Sequence, residues 1–280
     1  MLLKNFRKNT TFELIYSPAS GQGVRNYNWG TVLMVNATQS PYFYTMKLAI
    51  VAATRLEIQP FINALTSLAT PLGADVFQWN GHTIAIWITG IGPMHTAFAL
   101  GQRLPAWQPD FALQAGIAGT FRHDWEPGSV VAISREVNGD LGAEDNGQFL
   151  DLFEIGLCQP DDAPYQEKFL VNTFAGWPAL PAWPLATGVT VNTVSGSAPT
   201  IARLETRYQP DIESMEGAAF HYACLVENVP FLQLRCISNY VEVRDKSKWK
   251  IGLAVKNLNE ALLQQVQQLT ATAAHANIVN

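Results

Sequence analysis

Cysteine is scarce in this chain. Cys158, Cys224 and Cys236 are the only ones in 280 residues, and none forms a C-x-x-C pair. That usage excludes a disulfide framework and points to reduced thiols in a cytoplasmic protein. The five histidines fall in no H-x-x-x-H or related spacing, so no metal is expected. No apolar run approaches the roughly 20 residues of a membrane span, and Lys4, Arg7 and Lys8 are not followed by a signal-peptide core. Basic residues are few: 18 Lys and Arg against 23 Asp and Glu leave a net charge of −5. A nucleic-acid partner needs clustered positive charge, so none is expected, and neither is a membrane partner. Cofactor motifs are missing too. Gly90-Ile91-Gly92 begins a G-x-G-x-x-G pattern, but His95 holds the third glycine position. There is no Walker lysine. Ser195, in V-S-G-S-A, lacks the flanking glycine of a nucleophile elbow. No cofactor is expected.

What is present reads as globular: 48% hydrophobic and 15% charged residues. Residues 1–45 are rich in Asn, Thr, Ser and Tyr with weak periodicity, and read as an N-terminal extension. The folded domain is expected over 46–280. It opens with the apolar run Lys47 to Ala53, of strand length and suited to burial on both faces. Leu56 to Leu68 then carries apolar residues at helical spacing. A polar strand pair is expected around Asp75 to Trp79 and His82 to Thr89, followed by a tight turn and a helix opening at Pro93. Further strands are expected over Phe111 to Gln114, Gly128 to Val137 and Ala186 to Val194, with a helix over Ile201 to Tyr208. A closing helix from Trp249 to Leu269 presents Ile251, Leu253, Leu258, Leu262 and Val266 to the core. Alternation of this kind predicts an α/β fold: one three-layer domain whose mixed, mostly parallel central sheet is flanked by helices.

Chemistry concentrates between Asp211 and Asp245. A short strand brings Met215 and Glu216 to the mouth of a small-residue helix. A second strand, Phe231 to Ile237, carries Arg235 and stops at Ser238-Asn239. Ligands of α/β sheets bind at the carboxyl ends of strands, so Glu216, Arg235 and Asn239 are candidates. Glu57 lies just after the first strand. An acid there is ordinary at a helix start, but beside the other three it becomes a candidate base. In A-G-I-A-G-T, Ala115 to Thr120, small residues end a strand and would let a ligand approach the backbone or simply close a turn. The acid- and aromatic-rich loop Gly139 to Gly156 would cover a ligand or lie solvated.

These pieces together resemble the nucleoside phosphorylase/nucleosidase family over Met46 to about Leu269. The resemblance rests on M-K-L-A-I-V-A-A-T-R-L-E, T-G-I-G-P, Q-A-G-I-A-G, E-S-M-E-G-A-A-F and L-R-C-I-S-N-Y-V-E-V-R-D. D-L-G-A-E-D and S-N-Y-V-E-x-R-D point to its futalosine-cleaving branch, which serves menaquinone biosynthesis. The resemblance implies a nucleoside substrate and a homo-oligomer. It implies that Glu57 activates water, Glu216 holds the ribose hydroxyls with Met215 against the sugar, and Arg235 lies near the water and its base. Ala115 and Gly116 would edge sugar and base. The aromatic of the adenine-specific relatives is missing near Pro199, so Phe149 or Phe153 is expected to stack on the purine. Where those relatives carry an Asp that protonates the purine, this chain has Asn239.

That substitution is informative. An amide offers an acceptor and two donors, which match the N7–H donor and O6 acceptor of a 6-oxopurine. A 6-amino group would face the amide NH2, and a mismatched buried donor costs about 1–3 kcal/mol. A 6-oxopurine nucleoside is therefore expected. An inosine-type phosphorylase, an adenine-specific nucleosidase and a non-catalytic nucleoside sensor stay open at this level.

Overall fold

The computed structural model describes residues 45–173 and 183–275. The N-terminal extension, Thr45 apart, lies outside the described residues.

The elements run β1 (Lys47–Ala52), α1 (Arg55–Leu68), β2 (Thr70–Gly73), β3 (Val76–Trp79), β4 (His82–Ile88), α2 (Pro93–Trp107), β5 (Phe111–Thr120), β6 (Val130–Asn138), β7 (Gly142–Asp145), β8 (Gln148–Asp151), β9 (Leu170–Val171), β10 (Leu185–Thr190), α3 (Ala198–Tyr208), β11 (Ile212–Ser214), α4 (Gly217–Val226), β12 (Phe231–Tyr240) and α5 (Ile251–His275). The main sheet has the order β11-β10-β6-β12-β5-β1-β4-β3-β2, with β9 beside β6. β1 pairs in parallel with β4 and β5, and β12 with β5. The β2–β3–β4 edge is antiparallel. By paired length the sheet is mostly parallel, as expected. It also curls back on itself, because β11 pairs with β10 on one side and β5 on the other.

The alternation within β1 builds the layers. Leu48, Ile50 and Ala52 face one core with Ile58 and Phe61 of α1 and Leu258 and Leu262 of α5. Ala49 and Val51 face the opposite core with Leu100 of α2 and Phe220 of α4. Every β1 residue after Lys47 is buried and apolar, as a strand covered on both faces favours, which is why its run was legible.

Three expectations need correction. β5 does not stop at Gln114 but continues through A-G-I-A-G-T to Thr120, because β11 and β12 both pair with that stretch. β12 likewise continues past Ile237 to Tyr240, with a register shift between Ile237 and Asn239. Leu56, Ile251 and Leu253 are exposed, at 75%, 40% and 45%. They belong to the first turns of α1 and α5, which project beyond the sheet layer, and Leu56 and Ile251 line a cavity there. No helix among the described residues is long and apolar enough to cross a membrane.

Candidate active site

The carboxyl ends of β1, β5, β11 and β12 converge on a cavity of about 350 Å³. Glu57, Met215, Glu216 and Asn239 line it, together with Ile117, Gly119, Val194, Glu213 and Trp249. Glu57 sits in the first turn of α1. Its Oε2 accepts from the Thr54 backbone N–H (3.1 Å) and hydroxyl (3.0 Å), and its Oε1 from the Ile117 N–H (3.2 Å). Burial pushes its carboxyl up, the positive charge of Arg235 opposes that, and the negative charge of Glu216 adds to it. A base raised toward neutrality takes a proton from water more readily.

Glu216 is the N-cap residue of α4. The T-G-I-G-P turn presents the Gly92 N–H to its Oε1 at 3.1 Å, and Arg235 Nη1 reaches its Oε2 at 3.3 Å. Gly90 and Gly92 both have φ of +91°, a backbone that disfavours any side chain, so the turn delivers this donor because it is glycine.

Arg235 is 1% exposed and does not line the cavity. Besides Glu216 it donates to Gln114 Oε1 (3.2 Å) and the Ile117 carbonyl (3.4 Å). It therefore reaches the cavity only from behind, through its contact with Glu216 and its charge near Glu57. Gly116 makes this possible: a Cβ there would run into Arg235 Nη1 and come within 3.2 Å of Glu57 Oε1.

Asn239 follows the register shift in β12. Its Nδ2 donates to the Tyr240 carbonyl at 2.9 Å, and its Oδ1 receives the Ser238 hydroxyl at 2.7 Å. A carbonyl only accepts, so Tyr240 fixes which end of the amide is nitrogen. One N–H and one lone pair of the amide remain for a ligand. A Cβ on Gly119 would lie 3.1 Å from Asn239 Nδ2, so glycine keeps that face open.

The whole described domain matches one family model, the phosphorylase superfamily, over residues 47–274. The chain belongs to that superfamily. A futalosine hydrolase of Thermus thermophilus is 31% identical over 65% of this chain and 79% of its own length. A futalosine hydrolase of Streptomyces coelicolor is 35% identical over 55% of this chain but only 63% of its own length. A 5′-methylthioadenosine/S-adenosylhomocysteine nucleosidase of Maridesulfovibrio salexigens is 29% identical over 70% and 87%. Among solved structures, a futalosine hydrolase of Helicobacter pylori superposes with a TM-score of 0.65 at 18% identity, covering 80% of this chain and 98% of that one. At that identity the likeness shows the fold alone.

Set in this superfamily member's cavity, the expected residues divide. Glu57, Met215, Glu216 and Asn239 line it, and Arg235 and Gly116 lie directly behind. Ala115 does not edge it: it is 1% exposed and faces the α1–α5 core, because the stretch of β5 at the wall is Ile117 to Gly119. Phe153 is also elsewhere. It packs edge-on against Tyr165, 5.3 Å between centroids, in a separate small cavity beside Lys168. Phe149 lies under the guanidinium of Arg203. The hairpin β7–β8 that carries it is tied to α3 and contributes no residue to the cavity wall. Trp249 is the one aromatic among the described lining residues, and sequence reasoning passed over it as the start of a helix. Glu213 of β11 also lines the cavity. It is 5% exposed and holds the Ser195 backbone N–H at 2.9 Å and the Ser195 hydroxyl, which fixes the wall next to Val194.

Proposed function

We propose that the protein hydrolyses the N-ribosyl bond of a 6-oxopurine nucleoside, and that the nucleoside is futalosine, which would place the enzyme in menaquinone biosynthesis. Water adds to the anomeric carbon as the C–N bond breaks, through an oxocarbenium-like sugar. Glu57 takes the proton of the attacking water. Glu216 accepts from the 2′ and 3′ hydroxyls and keeps negative charge beside the cationic sugar. The bond electrons leave with the purine, which gains a proton from solvent at N7. Asn239 Oδ1 accepts that N7–H while Nδ2 donates to O6.

The observation that carries this reading is the fixed Asn239 amide in the same cavity wall as the Glu57 and Glu216 carboxylates. Phosphorolysis is disfavoured because no Lys or Arg lines the cavity among the described residues, and Glu57 would repel phosphate. Adenine-nucleoside cleavage, the activity in the name of one relative, is disfavoured by the donor that Asn239 presents at position 6.

Futalosine also carries a benzoate-bearing tail on its ribose 5′ side. Trp249 offers it an aromatic wall. Arg244 lies 5.9 Å from the Trp249 ring, and no carboxylate of the described residues engages it in an ion pair, so it is free to meet the tail carboxylate. The outward-facing Ile91, Met94 and Phe98, 56%, 73% and 67% exposed, support the homo-oligomer: a second copy would cover this apolar strip beside the cavity. Base release from futalosine, inosine and methylthioadenosine, with and without phosphate, tests the reading. Release that requires phosphate, or that prefers the adenine nucleoside, contradicts it.

A further inference from the structure

Behind the cavity lies a carboxyl group that the proposed reaction does not use. Glu136 is fully buried in β6, and it does not line the cavity. The chain makes room for it. A Cβ on Gly188 of β10, or on Gly217 at the start of α4, would collide with its carboxyl oxygens. Its neighbours come from three elements. Thr190 of β10 donates its hydroxyl to Oε2 at 3.0 Å, and Gln233 of β12 directs its amide nitrogen to Oε1 at 2.9 Å. Arg235 of β12 and Glu216 of α4 act on it through their charges.

Two counts bear on its charge. Glu57, Glu216 and Glu136 surround one guanidinium, Arg235, so full ionisation would leave a buried excess of negative charge, which is costly. The hydrogen bonds point the same way. His221 uses Nδ1 to meet the Leu170 carbonyl at 3.0 Å, which makes Nδ1 the protonated nitrogen and leaves Nε2 a bare acceptor. The Gln233 amide neighbours that ring, and both Gln233 Oε1 and His221 Nε2 are buried without a donor. With Glu136 ionised, these two acceptors have nothing to accept. With Glu136 protonated, half a turn of the Gln233 amide pairs everything: the acid donates to Gln233 Oε1, and Gln233 Nε2 donates to His221 Nε2.

We propose that Glu136 is held as a neutral acid and serves as a positioning residue, tying the turn that carries Glu216 to the strand that carries Arg235. The ties are specific. Thr190, which donates to Glu136, accepts the Ala218 N–H at 2.7 Å and so anchors the start of α4 next to Glu216. Gln233 lies two residues before Arg235, on the same face of β12. Because Glu136 is neutral, Arg235 is left to Glu57 and Glu216. Burial, acting most strongly on this group, pushes its carboxyl up to about 7. The role rests on the proposed nucleosidase reading, but the charge of Glu136 does not, so the two are tested apart.

Infrared difference spectra between the wild-type chain and Glu136→Gln, at about pH 6, read the charge directly. The wild type is expected to show one additional neutral-acid carbonyl stretch. A lost carboxylate band in its place overturns the proposal. Glutamine reproduces a neutral acid, donating to Gln233 and accepting from Thr190. Its kcat/KM is therefore expected to stay within about threefold of wild type, whereas Glu136→Leu loses tenfold or more, mainly in KM for the nucleoside. A roughly hundredfold loss in correctly folded Glu136→Gln would mean that the negative charge itself is needed, and would also overturn the proposal. If the leucine chain fails to fold, the spectra and the glutamine kinetics still decide.

Discussion

Arg235 serves a cavity it does not touch. Its contacts with Glu216, Gln114 and the Ile117 carbonyl hold the Glu216 carboxylate in place and keep a positive charge near Glu57. In the proposed reaction Glu57 is the base, and bond cleavage turns on it. Glu57→Gln is expected to lower kcat by about 10²–10⁴-fold with KM little changed. Because burial raises its carboxyl above the ordinary 4.5, and only the ionised form accepts a proton, activity should fall on the acid side at a pH higher than an exposed glutamate would give. A kcat–pH profile checks this. Asn239→Asp replaces a donor–acceptor pair by an ionisable acid, and the preference for 6-oxopurine over 6-aminopurine nucleosides should shrink by roughly 5- to 150-fold. Competition assays with inosine and methylthioadenosine measure it. These residues stood out in the sequence because each is a charged or amide side chain within or just after an apolar strand. Trp249 and Glu136 did not. Trp249 stands in a run of lysines that hides its role, and Glu136 lies inside a strand whose burial on both faces cannot be read from neighbouring residues.

Among the elements, β5 and β12 decide the geometry. Each is ten residues long and carries the other past the layer where a strand normally ends. Reading A-G-I-A-G-T as a turn failed for a physical reason. Small residues at a strand end signal a turn locally, but here they let Arg235 and Asn239 lie flat against the neighbouring strand. Gly116→Ala is expected to displace the Arg235 guanidinium, lowering activity sharply and stability by about 1–3 kcal/mol, since overpacking is costly in a filled core. Chemical unfolding and base-release assays on the same sample separate the two effects. The burial of Glu136 has an energetic consequence of defined sign. Its folded pKa, about 7, exceeds the ordinary 4.5, so folding favours the protonated form. That contribution is fully present below pH 4.5 and is lost as pH rises through about 7. It amounts to roughly 3 kcal/mol. Glu136→Gln should remove this slope, so its stability relative to wild type rises by that order between the two limits, measured by denaturant unfolding across the range.

At the scale of the molecule, the three-layer α/β class and most of the long elements along the chain were readable, because a β1 buried on both faces and helices of 3.6 period leave a clear pattern, whereas the order of strands in the sheet was not. The closure of the sheet through β11 was not readable. It depends on a three-residue strand whose two partners lie far away in sequence. That closure brings Glu216 of α4 and Asn239 of β12 to the cavity that Glu57 enters from α1. The apolar strip of Ile91, Met94 and Phe98 beside the same cavity sets an expectation for the assembly. The unaltered chain is expected to run as a homo-oligomer in light scattering and Phe98→Glu as a monomer. The central claim is hydrolysis of a 6-oxopurine nucleoside, and its most direct test is release of free base from futalosine in phosphate-free buffer. Hypoxanthine should appear at the full rate, unaltered by added phosphate and well ahead of adenine from methylthioadenosine. Release that waits for phosphate, or an adenine nucleoside cleaved faster than futalosine, would contradict it.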